Sequence, residues 1–215
     1  MNLPVTTDTF EHYMVQVNRF ALLSAEEEHD LAVRQLQDGD MDAAHRLICA
    51  NLRFVVKVAN EYRGYGLRLL DIVQEGNIGL MKAVKKFDPA RGTRLITYAV
   101  WWIRAYIQNY IMRSWSLVKI GTTQMQKKLF FKLAQTRSAL RNLTGTEQIE
   151  DIAQELEVNE AVVAEMSQRM GGRDTSLDVE LTEGEGYTML STLAEKSDNQ
   201  EDIFLAHEEQ QLNTE

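Results

Sequence analysis

Apolar positions recur at helical rather than strand spacing over most of residues 24–170. Ser24, with Glu27 three residues on, reads as a capping box opening a helix over about 24–37, which Asp38-Gly39-Asp40 stops. A second helix is predicted over about 41–63. Leu52, Val55, Val56, Ala59 and Tyr62 share one face of it, and Gly64-Tyr65-Gly66 ends it. A third covers about 68–87, buries Ile72, Gly76, Leu80, Ala83 and Phe87, and stops at Asp88-Pro89. The basic loop Arg91-Gly92-Thr93 leads to a fourth helix over about 94–113. A connector near 119–122 opens a helix over about 123–141. A turn at 142–146 and short helices near 147–156 and 160–170 complete a second small helical group, closed by Gly171-Gly172. Residues 173–200 lose periodicity, are acidic and hold Gly, Ser and Thr, the pattern of an extended linker. Residues 201–215 read as the start of another helix. With two prolines and no strand pattern, the expected fold class is all-α: two small helical domains joined to an acidic extended linker.

Charge sharpens this division. The net charge of −9 conceals an acidic start (residues 1–50, net −6), a basic middle (51–141, net +13) and an acidic end (142–215, net −16). A basic centre between acidic ends points to a polyanion site in the middle. Cys49 is the single cysteine, so no intrachain disulfide or cysteine zinc cluster can form, and its apolar neighbours Ile48 and Ala50 make it a packing residue. The opening MNLPVTTDTF lacks the basic start and apolar core of a signal peptide. No run approaches the ~18 apolar residues of a membrane span. A cytoplasmic protein with no membrane association is expected.

Two helices carry more than packing requires. On the fourth, Ile96, Ala99, Val100, Ile103, Ile107, Tyr110 and Ile111 make a core stripe. Tyr98, Trp101 and Trp102 fall on the other side with Arg94, Gln108 and Asn109. Lys85, Lys86, Phe87 and Arg91 lie just before them. Aromatic rings outside a complete core stripe, beside basic and amide groups, suit unpaired bases: rings stack on bases while cations hold phosphates. A neighbouring helix covering the rings is the plainer alternative. On the third helix, Gln74, Asn77 and Met81 form a stripe with Asp71 and Glu75 alongside. Spacing alone fits a solvent face and a docking surface for a partner helix equally. Gly76 and Gly79 weaken this helix, which marks close approach of another backbone.

The segments NLRFVVKVANEYRGYGL (51–67), DIVQEGNIGLMKAVKKFDPARG (71–92) and RLITYAVWWIRAYIQNYI (94–111) resemble the central domain of bacterial RNA polymerase sigma factors. The resemblance extends over about residues 8–200. QKKLFFKL (126–133) resembles the signature box of the heat-shock type, although Ala134 stands where an arginine is often found. The resemblance implies a non-enzymatic chain without cofactor that directs core RNA polymerase to promoters and melts them at the −10 element. Asp71, Gln74, Glu75, Asn77 and Met81 would dock on the β′ coiled coil. Gln126, Lys127, Lys128 and Phe130 of the box would add polymerase contacts, and the β subunit is a further partner. Trp101 and Trp102 would wedge at the upstream edge of the bubble. Phe87, Arg91 and Tyr98 would hold a base flipped from the non-template strand, and Asn51 and Phe54 a second. Gln108, with Ala105 one turn earlier, would read duplex DNA, while Arg94, Lys85 and Lys86 supply charge. Tyr13 and Met14 would contact the segment just downstream.

The same resemblance implies four parts: a central domain over 8–116, a three-helix domain over 120–172 that touches DNA upstream of the −10 element, the acidic linker over 173–200, and over 201–215 the opening of a −35-reading domain that would continue past residue 215. Chaperones, proteases or an anti-sigma factor are further partners of such a chain. A free-standing nucleic-acid-binding protein could use the same basic-aromatic helix. An enzyme finds no support: His12, His29, His45 and His207 are scattered without metal spacing, and no phosphate-cradling glycine loop accompanies Asp71 and Glu75.

Overall fold

A computed structural model describes residues 9–144, 148–181, 186–193 and 204. Among these the chain forms eight α-helices: α1 (Thr9–Val17), α2 (Ala25–Asp38), α3 (Met41–Asn60), α4 (Leu69–Lys86), α5 (Leu95–Ser114), α6 (Gln124–Thr144), α7 (Ile149–Leu156) and α8 (Glu160–Arg169). The all-α class holds. Seven helices lie where the pattern puts them. α1 was not anticipated; it is short, and it forms because Phe10, Tyr13, Met14 and Val17 share one face that packs on the core. α2 opens on the expected box: the Glu27 amide donates to Ser24 Oγ at 3.1 Å and the Ser24 amide to Glu27 Oε2 at 2.9 Å. Gly39 ends α2 at φ +64°, a conformation a side chain would oppose. Asp40 then caps α3 by accepting from the amides of Asp42 and Ala43. α3 closes at Asn60 and a 3-10 turn, Arg63–Tyr65, follows, so the predicted second helix is shorter by one turn.

The chain divides into two units, one ending at Arg173 and one beginning at Asp174. In the first, α4 and α5 form the most extensive helix pair and α3 packs on α4. Leu95, Ala99, Ile103, Ile107 and Ile111 of α5 are sealed in the core, with Ile72, Gly76, Leu80 and Ala83 of α4. Leu95 joins the expected stripe, while Ile96, Val100 and Tyr110 are half-buried at its margin. Gly79 does what a costly helix glycine should: a Cβ there would lie 2.8 Å from the Trp102 carbonyl oxygen and 2.9 Å from Ile103 Cα. The buried cluster continues through Leu129, Phe130 and Leu133 of α6 into Ile152, Leu156, Val163 and Met166 of α7 and α8.

In the second unit the stretch read as an unpatterned linker contains an antiparallel pairing. The amides of Leu181, Met189 and Leu190 donate to the carbonyls of Tyr187, Val179 and Leu177, around a bridge between Glu180 and Thr188. A 3-10 turn, Met189–Thr192, follows. The alternation of Leu177, Val179 and Leu181 before Gly184 and Gly186 is its sequence signal, a short one inside an acidic stretch. The rest of the expected linker (182–185 and 194–200), the expected helix start at 201–215 apart from Phe204, and residues 145–146 of the turn expected at 142–146 lie outside the described residues; 142–144 are helical instead, because α6 runs on to Thr144.

Candidate nucleic-acid interface

The α4–α5 pair decides where the aromatic side chains go. Its close approach at Gly79 brings the end of α4 beside the first turns of α5. Trp101 projects away from this contact and is 72% exposed. Tyr98 and Trp102, one turn apart, lie on the shoulder facing the end of α4 and are half-buried. Their rings meet edge to face at 6.4 Å, and Lys86 Nζ sits 4.8 Å from the Trp102 ring centroid. Tyr98 also lies 6.0 Å from Phe87, whose ring is buried. Of the three rings expected outside, one is therefore open and two are partly covered, because successive turns of α5 carry them toward α4 rather than directly opposite the core.

Lys86, Phe87, Asp88, Arg91, Thr93 and Tyr98 line a small open cavity of about 70 Å³. It contains all three residues expected to hold a flipped base. Its rim is a 3-10 turn, Pro89–Arg91, held by the Asp88 carboxylate accepting from the Ala90 amide at 3.0 Å. Lys85 is exposed alongside. Arg94 is engaged elsewhere: its guanidinium donates to Glu28 at 3.0 and 3.1 Å, and the Leu95 amide donates to the same carboxylate at 2.8 Å. Glu28 lies in the first turn of α2, and no spacing signal in the sequence reveals that it serves α5. Asn51 and Phe54 on α3 are half-buried, and the Asn51 amide donates to Leu47 of its own helix.

A second surface, a groove of about 680 Å³, runs between α5 and α6. Trp102, Gln108 and Asn109 line one wall; Lys127, Lys128 and Lys132 line the other. Gln108 Nε2 donates to the Tyr62 hydroxyl at 3.0 Å. Tyr62 shares the apolar face of the predicted second helix and in the structure lies just past the end of α3; its second task is visible only once this segment and α5 are brought together.

The stripe on α4 is partly open. Gln74 is exposed, Met81 and Ile78 are each 44% exposed, and Asp71 lies at 3.8 Å from Arg68. Glu75 stands 4.0 Å from Arg113. Asn77 donates to the Tyr13 hydroxyl at 3.0 Å and to Gln74 at 3.1 Å, tying α1 to the stripe. Burial raises the pKa of Tyr13, so its hydroxyl stays neutral in this contact.

In the box at 126–133, three of the four residues expected to meet polymerase are occupied within the fold. Gln126 accepts from the amides of Thr122 and Thr123, while Thr123 Oγ accepts from the Gln126 amide, a cap for α6. Lys128 donates to the Leu156 carbonyl at 2.6 Å. Phe130 is 2% exposed, stacked on Tyr65 at 5.7 Å and edge-on to Trp115 at 5.5 Å. Lys127 is exposed and lines the groove beside Lys128. Cys49 is half-buried 3.5 Å from His45 Nε2, and burial raises its thiol pKa. Among the described residues no His, Cys, Asp or Glu group could hold a metal ion, and no helix is long and apolar enough to cross a membrane.

Residues 47–116 match the family described as Sigma-70 region 2, and residues 8–41 match Sigma-70 factor, region 1.2. The chain belongs to the sigma-70 family of RNA polymerase sigma factors. It is 52% identical over 194 residues to the RNA polymerase sigma-C factor of Myxococcus xanthus, covering 88% of this chain and 65% of that one. It is 56% identical over 166 residues to the sigma-B factor of the same organism, covering 76% and 68%. To the RNA polymerase sigma factor RpoH of Rhizobium radiobacter it is 44% identical over 203 residues, covering 92% and 67%. The chain thus spans about two thirds of the length of these relatives.

Proposed function

We propose that this chain is a promoter-specificity subunit of heat-shock type, which binds core RNA polymerase and captures the opened −10 strand. The observation that carries the reading is Trp101, a large ring left in solvent on a helix whose core face is complete. Tyr98, Trp102 and the Arg91 cavity lie alongside it. Flipping a base out of the duplex costs a few kcal/mol. Stacking returns ~1–3 kcal/mol per base, and Lys85, Lys86 and Arg91 add phosphate pairing, so strand capture needs no chemical energy source. In this reading Trp101 and Trp102 abut the upstream edge of the bubble, the cavity of Phe87, Arg91 and Tyr98 takes one flipped base, Asn51 and Phe54 form a second pocket, and Gln108 faces the duplex. The partly open stripe of Asp71, Gln74, Glu75 and Met81 docks on polymerase. Residues 120–172 serve as a second domain upstream of the −10 element, and the acidic stretch after Arg173 as the linker to a −35 reader.

The test is binding of a single-stranded −10 oligonucleotide by polymerase carrying the wild-type chain, Trp101→Ala or Gln74→Ala. Trp101→Ala should keep the polymerase complex and lose the oligonucleotide; Gln74→Ala should weaken the complex itself. Wild-type behaviour of both variants would remove the assigned roles. Tight, sequence-specific binding by the free chain would favour an independent nucleic-acid-binding protein instead.

A further inference from the structure

We propose that Tyr62 is a specificity-determining positioning residue: its hydroxyl orients the Gln108 amide to read an adenine on the major-groove edge of duplex DNA lying at the α5–α6 groove. The proposal rests on the reading that Gln108 faces duplex DNA.

A glutamine side chain has three rotatable bonds, and ordering it only on binding would weaken discrimination between bases. Here that ordering is done in advance. Gln108 Nε2 donates one of its two hydrogens to the Tyr62 hydroxyl at 3.0 Å. An amide that gives one hydrogen to the tyrosine keeps a second N–H and its carbonyl oxygen, one donor and one acceptor for a base edge. Adenine presents the complementary pair in the major groove, the N7 acceptor and the N6 donor. Guanine presents two acceptors there and would leave the glutamine carbonyl facing a lone pair.

The anchor is itself rigid. Tyr62 is 8% exposed, and its ring is held edge-on by Phe131 of α6 at 6.3 Å and tilted against Tyr65 at 6.2 Å. Burial raises the pKa of its phenol, so the hydroxyl stays neutral beside a polyanion. Phe131 also lines the groove, together with Lys127 and Lys132, which are placed to meet the phosphates of the same duplex. The heat-shock box therefore acts on promoter choice from within the fold: Phe131 holds Tyr62, and Tyr62 holds Gln108.

The experiment uses polymerase carrying the chain and forked DNA probes with a single-stranded −10 segment and randomised base pairs in the adjoining duplex. Bound and unbound pools are sequenced for wild type, Gln108→Ala, Tyr62→Phe and the double variant, with thermal unfolding of each as a control for folding. Wild type should prefer adenine at one duplex position, and Gln108→Ala should erase that preference. Tyr62→Phe keeps the ring and removes one oxygen; it should weaken the preference about threefold to tenfold, the worth of one hydrogen bond, at that position only. The double variant should match Gln108→Ala. Full preference in Tyr62→Phe with loss in Gln108→Ala would overturn the positioning role while leaving Gln108 as the reader. No effect of Gln108→Ala would overturn the reading on which the proposal rests. A Gln108-dependent preference for another base would overturn the adenine assignment. Equal weakening across all base pairs by Tyr62→Phe would reduce the tyrosine to a packing residue.

Discussion

Glu28 of α2 closes the N-terminus of α5 through Arg94. Its carboxylate, 4% exposed, accepts two bonds from the Arg94 guanidinium and one from the Leu95 amide. A negative charge is favourable at a helix N-terminus, and three donors compensate its burial. The helix that carries the aromatic surface is thus held at its first residue by a side chain from a distant part of the chain.

This arrangement orders two substitutions. Glu28→Ala removes the cap and the ion pair and should cost about 2–3 kcal/mol in urea unfolding. Arg94→Ala should cost less, because the carboxylate keeps the Leu95 amide and the arginine side chain is itself 51% exposed. A larger loss from Arg94→Ala would show that the cap is not the main contribution.

Gly79 and Gly76 separate a backbone clash from a side-chain one. A methyl on Gly79 meets the backbone of Trp102 and Ile103, which cannot turn aside. Gly79→Ala should cost about 2–3 kcal/mol and disturb oligonucleotide capture, since it displaces the helix that presents Trp101 and Trp102. A methyl on Gly76 meets first the Cγ1 of Val55 at 2.6 Å, the end of a side chain, so Gly76→Ala should be the milder of the two.

Phe130 and Lys127 divide the box at 126–133. Phe130→Ala opens a cavity in a ring cluster of Tyr65, Trp115 and Phe131 and should cost about 3–5 kcal/mol in thermal or urea unfolding. Lys127→Ala, at an exposed groove wall, should leave stability within about 0.5 kcal/mol. Any polymerase or DNA defect of Lys127→Ala then reports a direct contact, whereas that of Phe130→Ala reports the fold.

Asp40 gives a pH dependence with a definite sign. The Ala43 amide, the Arg34 side chain and the Asp42 amide hold its carboxyl below the ordinary value of 3.8. A carboxyl whose folded pKa is depressed adds stability that is complete above its unfolded value and is lost as pH falls through the folded one. Asp40→Asn keeps a capping oxygen at this position. Its unfolding should therefore depend less on pH below 3.8 than that of wild type. Identical acid profiles of the two proteins would refute the linkage.

Trp101→Ala should leave the unfolding midpoint almost unchanged, because the ring already lies in water in the folded state. Oligonucleotide binding in the polymerase complex should fall about tenfold or more, the worth of one base–ring stack. A comparable loss of stability would mean that the ring packs rather than waits.

Most helices were legible because their signals are local. The Ser24–Glu27 box, Gly39, Asp88-Pro89 and the four-residue recurrence from Ala99 to Ile111 act within one or two turns of themselves. The outward place of Trp101 follows from the same periodicity. α1 escaped because nine residues carry too little pattern, and the pairing of 177–181 with 187–190 because its alternation of Leu177, Val179 and Leu181 is only three positions long. Tyr98 and Trp102 turned out half-covered because periodicity assigns a face but not the neighbour beside it.

Helix positions, the segregated basic centre and the motifs that mark the family were determined by the order of residues alone, since each depends on neighbours along the chain. Which polar groups are committed was decided only by tertiary structure. Glu28 to Arg94, Tyr62 to Gln108, Tyr13 to Asn77 and Lys128 to Leu156 join residues 28 to 66 positions apart. Such bonds exist only after packing brings the helices together, because a hydrogen bond demands a partner within about 3 Å and spacing along a helix says nothing about what arrives from another one.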